Sequence, residues 1–325
     1  MIAPAKNFLI FTTGFLLAAS LWWSVLWFVQ DKPVPNAIFT QSILDSKIEA
    51  ARSLPKVPKV VFLGGSNVLF GIDSKQFARQ AKHAALNFGC AAGMGPELIL
   101  DLVDPYLSKG DLVVLHWEYE QYLFTRSGQV NITYLNLLFG PQRPFASKLP
   151  WADRQALSLS VSFSHVREGM ETYWNPYVTP EIYKCNWIMD EFGNIRSNQG
   201  GSLPSEMKKA PLSSLINEMA ITDDVREIFS AFVHRCNERG VRVVASWPNL
   251  YAHQDYDGNR ITKENFRIIK EFWASLEIPV EGDPRGSMLE EEFFHDTIYH
   301  LNSKGVALRT QKLVEELRPW LEIDD

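Results

Sequence analysis

Cysteine is scarce: 325 residues contain 3, Cys90, Cys185 and Cys236, an odd number and far apart. No disulfide framework can be drawn from them, and no CxxC pair offers a metal or redox motif. Positive charge is short as well, with 32 Lys and Arg against 38 Asp and Glu and a formal net charge of -6. A chain that tracks nucleic-acid phosphates needs a cationic surface, so no nucleic-acid partner is expected. Neither GxxxxGK[ST] nor HExxH occurs, which removes the P-loop and the commonest zinc-hydrolase motif. Internal repeats and low-complexity tracts are lacking. What remains is an ordinary globular composition, 46% hydrophobic and 22% charged, in a chain long enough for two domains or for one large domain with an insertion.

Long apolar runs are missing too, with one exception. Residues 7–29 read NFLIFTTGFLLAASLWWSVLWFV, without charge or proline. At about 1.5 Å per residue this covers a hydrocarbon core of roughly 30 Å, so a transmembrane anchor is expected. The alternative is a cleaved signal peptide, because Lys6 precedes the run and Ala18, Ala19 and Ser20 are small. The run continues through Trp22, Trp23, Val25, Leu26, Trp27 and Phe28, longer than an ordinary signal core, and its tryptophans suit the far interface. The short leader with Lys6 favours a cytoplasmic N-terminus and a soluble body on the outer, extracytoplasmic side. Residues 30–58 are expected to form a juxtamembrane stalk, helical over 41–51 and bracketed by Pro33, Pro35, Pro55 and Pro58.

From residue 59 the pattern changes. Short apolar runs at 60–63, 84–88 and 112–115 read as buried strands, separated by helical patterning over 74–83 and 96–107. The alternation resumes with a helix over 223–239, a strand over 241–246, a helix over 262–276, a short strand near 278–280 and a last helix over 303–317. This is the grammar of a mostly parallel sheet covered on both faces, an α/β fold. The stretch 125–212 interrupts it. Rich in Trp, Tyr, Phe and Pro, with the hairpin-like CNWIMDEFGNIRSN at 185–198, it is read as an insertion or lid over one end of the sheet.

Ligands of open parallel sheets sit beyond the carboxyl ends of strands. After the first strand comes Gly64-Gly65-Ser66-Asn67, where glycines allow tight turning and a serine hydroxyl is presented above the sheet edge; an N-cap is the structural alternative. Before the last helix comes Asp296-Thr297-Ile298-Tyr299-His300-Leu301-Asn302-Ser303-Lys304-Gly305. A serine nucleophile needs a general base, and the base needs an acceptor to fix its tautomer, a pair that Asp296 and His300 supply. The plainer reading is a helix start capped by Asn302 or Ser303. After the fourth strand, Trp247 and Asn249, followed by Tyr251 and His253, read as wall packing, with sugar contact as the alternative. His116, Glu118, His295, Asp296 and His300 match no strong metal-ligand spacing, so no metal is expected.

Taken together, the two motifs make the sequence resemble the SGNH (GDSL-like) hydrolase superfamily, especially its membrane-anchored relatives that tailor bacterial cell-surface polymers. The resemblance covers about 59–124 and 213–325. It implies a flavodoxin-like three-layer αβα sandwich, with Ser66 as nucleophile, His300 as general base, Asp296 as its orienting carboxylate, and no cofactor. Gly89 or Gly93 would supply an oxyanion-hole N–H. The chain departs from the family in having Asp-x-x-x-His rather than Asp-x-x-His and Gly-Gly-Ser-Asn rather than Gly-Asp-Ser. Where the family has an Asn after the third strand, it has His116-Trp117-Glu118-Tyr119-Glu120. Asn67 is the candidate substitute donor, and Glu118 a candidate for positioning substrate hydroxyls or a neighbouring loop. The implied activity is esterase or O-acyltransferase action on acyl, above all acetyl, esters of a surface polysaccharide, with a membrane-bound acyl donor system as partner for transfer. The rival reading is a catalytically weak scaffold that binds a glycan or an envelope assembly partner.

Overall fold

Val60, Val61, Phe62 and Leu63 are apolar at every position, and a strand without a polar face is stable where both faces are covered. The computed structural model, which describes residues 3–29, 35–128, 132–161, 163–174, 189–195 and 201–322, places them in that setting. Seven strands occur among the described residues: β1 (Lys59–Gly64), β2 (Ala84–Gly89), β3 (Leu112–His116), β4 (Arg242–Ser246), β5 (Leu250–Tyr251), β6 (Val280–Glu281) and β7 (Met288–Leu289). Five form one parallel sheet in the order β2-β1-β3-β4-β6, while β5 and β7 make a separate two-stranded ladder. Chain connections leave β1 for one edge and β3 for the other. The crevice between their carboxyl ends is therefore the switch point where such sheets bind ligands.

The chain divides into two compact units, one of residues 1–41 and 130–184, the other of 42–129 and 185–325. The stretch 125–212 is thus shared between them. The first unit holds α1 (Ala3–Val29), and the N-terminal part of α2 (Pro35–Ser53) falls within its bounds. Among the described residues α1 is the one helix long and apolar enough to cross a membrane, a property that a signal sequence shares.

In the second unit the remainder of α2 buries Ile43, Leu44 and Lys47, so residues 42–53 pack as part of the sheet body. The single-turn α3 (Ser66–Leu69) follows β1, then α4 (Ser74–Ala81), with α5 (Gly95–Val103) between β2 and β3. In the first unit α6 (Ile132–Phe139), α7 (Arg143–Ala146), α8 (Trp151–Leu159) and α9 (Phe163–Trp174) follow, and α9 lies against α1. The second unit resumes with two short helices, α10 (Ser205–Lys208) and α11 (Ser213–Ile216), then α12 (Asp223–Glu238), α13 (Arg260–Ser275) and α14 (Ser303–Leu321). Val60, Phe62, Val114 and Val244 share a core with Phe77 of α4 and Leu313 and Leu317 of α14. The two-residue period turns Val61, Leu63, Val113 and Val243 to the opposite face, and α5 and α12 lie against β1 and β4. Each such large side chain withdrawn from water contributes about 1.5–3 kcal/mol.

The described part of the hairpin-like segment, 189–195, is a tight turn closed by a Met189 and Ile195 bridge and by Asp190 Oδ1, which accepts from the Phe192 and Asn194 N–H groups at 3.0 Å each. It docks on the edge strand, where Asn87 N–H donates to Phe192 O at 2.9 Å. Cys185 and the first residues of the expected stalk, 30–34, lie outside the described residues.

Candidate functional site

β1 ends at Gly64, and the chain turns through Gly65 into α3, whose first residue is Ser66. Ser66 is half-buried at the switch point. Gly65 is required by its neighbour, since a Cβ there would lie 2.4 Å from both carboxylate oxygens of Glu118. Glu118, buried two residues beyond β3, accepts from Gly65 N–H at 3.2 Å through Oε2 and from Asn67 N–H at 2.9 Å through Oε1. Its carboxyl brackets Ser66 and satisfies helix-start donors that no side chain at Gly65 could reach. Burial pushes the Glu118 pKa up to about 7, opposed by the hydrogen bonds from Asn67 and Gly65.

Asn67 is buried, with Oδ1 and Nδ2 both enclosed and without a hydrogen-bond partner among the described residues. Of the two candidate glycines, Gly89 has its N–H engaged by Asn87 Oδ1 at 2.9 Å, and a Cβ there would lie 2.2 Å from Leu69 N, so the end of β2 packs directly on the α3 backbone. Gly93 sits in the half-exposed 3-10 turn over Ala92–Met94.

Two supporting residues belong to no motif in the sequence. Asn87 Nδ2 donates to Val68 O at 2.9 Å and to Ile72 O at 2.8 Å, clamping the turn that carries Ser66. Lys47 Nζ donates to Asn87 Oδ1 and Asn87 O, each at 3.0 Å, and to Gly193 O at 2.6 Å. Full burial lowers its pKa to about 7. The signal for Lys47 was present in the sequence: it occupies an apolar position of the helical stripe that includes Ile43, Leu44 and Ala51.

Across the crevice, His295 N–H donates to His300 O at 2.9 Å, and His300 N–H reaches Thr297 Oγ1 at 3.2 Å. This closed turn aligns side chains four apart. His300 Nδ1 and Asp296 Oδ1 are 2.8 Å apart, and that hydrogen bond lowers the Asp296 pKa. With Asp296 as an acceptor, Nδ1 carries the proton and Nε2 is left as the basic nitrogen. The loop is anchored by Asn249, whose Nδ2 donates to Tyr299 O, by Tyr251 N–H donating to Ile298 O at 2.9 Å, and by Tyr299 O–H donating to Glu120 Oε2 at 2.8 Å.

The rest of the motif, His-Leu-Asn-x-x-Gly, fixes the start of α14. Asn302 Oδ1 accepts from Lys304 and Gly305 N–H at 3.1 and 3.2 Å, and its Nδ2 donates to Glu292 O at 2.7 Å and Phe294 O at 3.2 Å. Asn302→Ala is expected to reduce stability by about 1–2 kcal/mol, read as a lower urea midpoint. An unchanged midpoint would remove the cap from this account.

The His300 ring packs on Phe70 with centroids 4.3 Å apart, and Phe70 N–H donates to Ser66 O at 2.9 Å, one helical turn on. The structure therefore brings Asp296 to His300 and sets the imidazole against the Ser66 turn. Among the described residues no direct hydrogen bond joins Ser66 Oγ to the ring. Trp247 is buried against Phe266 with centroids 5.5 Å apart, which makes it part of the wall. His116 is buried at the end of β3, and burial and the nearby Arg309 charge hold its pKa well below the ordinary value. Among the described residues no three His, Cys, Asp or Glu side chains converge as a metal-holding group. No protein-family model matches the chain, and comparison with curated proteins finds no match.

Proposed function

We propose that the chain is a membrane-anchored serine esterase or O-acyltransferase of the SGNH type, acting on acyl esters, above all acetyl, of a cell-surface polysaccharide. The observation that carries this reading is the Asp296/His300 pair, bonded at 2.8 Å and stacked on Phe70 one turn beyond Ser66. The strand order supports it, since β2-β1-β3-β4-β6 is the order of a flavodoxin-like sandwich. In this reading α1 remains uncleaved, the N-terminus is cytoplasmic and the sheet body lies on the outer side.

Ser66 Oγ attacks the acyl carbonyl as its proton passes to His300 Nε2, while Asp296 accepts from Nδ1–H and stabilises the imidazolium. Collapse of the tetrahedral intermediate returns the proton to the leaving alkoxide and leaves an acyl-serine. Water completes hydrolysis; a sugar hydroxyl completes transfer, with a membrane-bound donor system supplying the acyl group. The test is labelling of the full chain by a fluorophosphonate, expected to reach one adduct per chain on Ser66 and to vanish in Ser66→Ala.

A second reading is favoured because, among the described residues, no hydrogen bond joins Ser66 to His300. In it the chain is a catalytically weak scaffold that holds a glycan or an envelope assembly partner. Absence of labelling, together with retention of polysaccharide by the intact chain, selects this reading over the first.

A further inference from the structure

We infer that α8 and α9 form a second membrane contact, lying in the outer lipid interface beside the end of α1; the inference rests on the reading of α1 as an anchor. The candidate span runs over Lys6–Val25, and about 20 residues at 1.5 Å each cross the roughly 30 Å core, which puts Val25 at the level of the interface opposite Lys6. At that level α9 meets α1: Val166 is buried in a cluster with Val25, Val161 and Met170. α9, with Val161 at the corner that joins it to α8, is therefore fixed to the anchor at interface depth.

What α8 and α9 expose fits that depth. Trp151, Leu159, Phe163 and Trp174 are 70%, 76%, 72% and 66% exposed, more than any other large apolar side chain outside α1 among the described residues. Among the described residues of the sheet unit the exposed large apolar side chains are Val57, Leu123, Met207 and Leu308, each less than half exposed and widely separated in sequence. Leu159 and Phe163 flank the corner between α8 and α9. At 100° per residue, Phe163, Arg167, Glu171 and Trp174 fall on one side of α9, with Arg167 and Glu171 paired at 3.5 Å between the two aromatics. Aromatic ends with charges between them suit headgroup depth, where rings enter the acyl boundary and long charged stems reach water. A bare hydrocarbon contact would not carry that ion pair, and a solvated face would not expose four such side chains beside an anchor.

The test uses the full chain in phosphatidylcholine vesicles, with Cys185→Ser so that the remaining native thiols, Cys90 and Cys236, are buried. A bimane fluorophore is attached in turn to Leu159→Cys, Phe163→Cys, Leu16→Cys within α1, and Arg267→Cys on the exposed side of α13. Quenching is read with lipids carrying a nitroxide near the acyl carbonyl or near the chain end. Probes at 159 and 163 are expected to be quenched chiefly by the shallow nitroxide, at about 5–10 Å depth, with 267 unaffected and 16 quenched by the deep label. Probes at 159 and 163 as unquenched as 267, with 16 quenched, would overturn the second contact and leave the anchor standing. An unquenched probe at 16 would overturn the anchor, and this inference with it. Blue-shifted but unquenched probes at 159 and 163 would assign the surface to a protein partner and overturn the lipid contact.

Discussion

Ser66→Ala is expected to lower hydrolysis of an activated acetyl ester by about 10⁴-fold or more, and His300→Ala by a similar factor. Both remove the same event, transfer of the serine proton as the carbonyl is attacked, so the double variant should be no slower than either single one. Asp296→Asn should lose less. Its carboxylate is exposed, and water can take part of the orienting role that a buried triad carboxylate holds alone. The ordering therefore discriminates: Ser66 and His300 equal and non-additive, Asp296 weaker. Equal rates for wild type and all three variants would refute the nucleophile assignment. Additive losses at Ser66 and His300 would instead mean that the two groups act separately, which a serine activated by the imidazole does not allow.

Much of the sheet was legible because its strands are short apolar runs bounded by turn residues. The run at 60–63 became Lys59–Gly64, and the helices at 74–83 and 223–239 became Ser74–Ala81 and Asp223–Glu238. A cap at 302 or 303 was legible because Asn and Ser precede a helical pattern, and Asn302 is the one that takes the role. The longer Asp-x-x-x-His spacing read as a departure, yet the turn closed by His295 N–H and His300 O makes four-residue spacing the one that aligns the pair. Lys47, Asn87 and Glu118 were harder to read, because each acts on backbone groups distant in sequence. Glu118 is 51 residues from the Asn67 N–H it accepts, and Lys47 is 146 from Gly193. No local spacing encodes such contacts. α3 escaped for a different reason: one turn of helix has no periodicity to detect.

Glu118→Gln is expected to invert in sign between acid and alkaline pH. In the folded chain the Glu118 carboxyl titrates at about 7 against an ordinary 4.5, with burial the principal cause. A carboxyl raised in the folded state binds more protons there than in the unfolded chain, so stability falls as pH rises from about 4.5 to 7. The loss levels off above that range at roughly 3 kcal/mol for full burial. Glutamine has no such titration, but its amide can accept from only one of the Gly65 and Asn67 N–H groups and sets its own N–H₂ against the other, at about 1–2 kcal/mol. The variant should thus be less stable than wild type by about that amount at pH 4 and more stable by a comparable amount at pH 8 or above. Urea midpoints at the two pH values measure it. Other titrating groups are common to both proteins and cancel in the comparison, so parallel pH dependences would show that Glu118 does not titrate against the Ser66 turn. A crossing would mean that the turn is held by a neutral carboxyl on the acid side and by a buried anion on the alkaline side. Only the neutral form leaves the bracketed serine free of a negative charge that opposes an oxyanion.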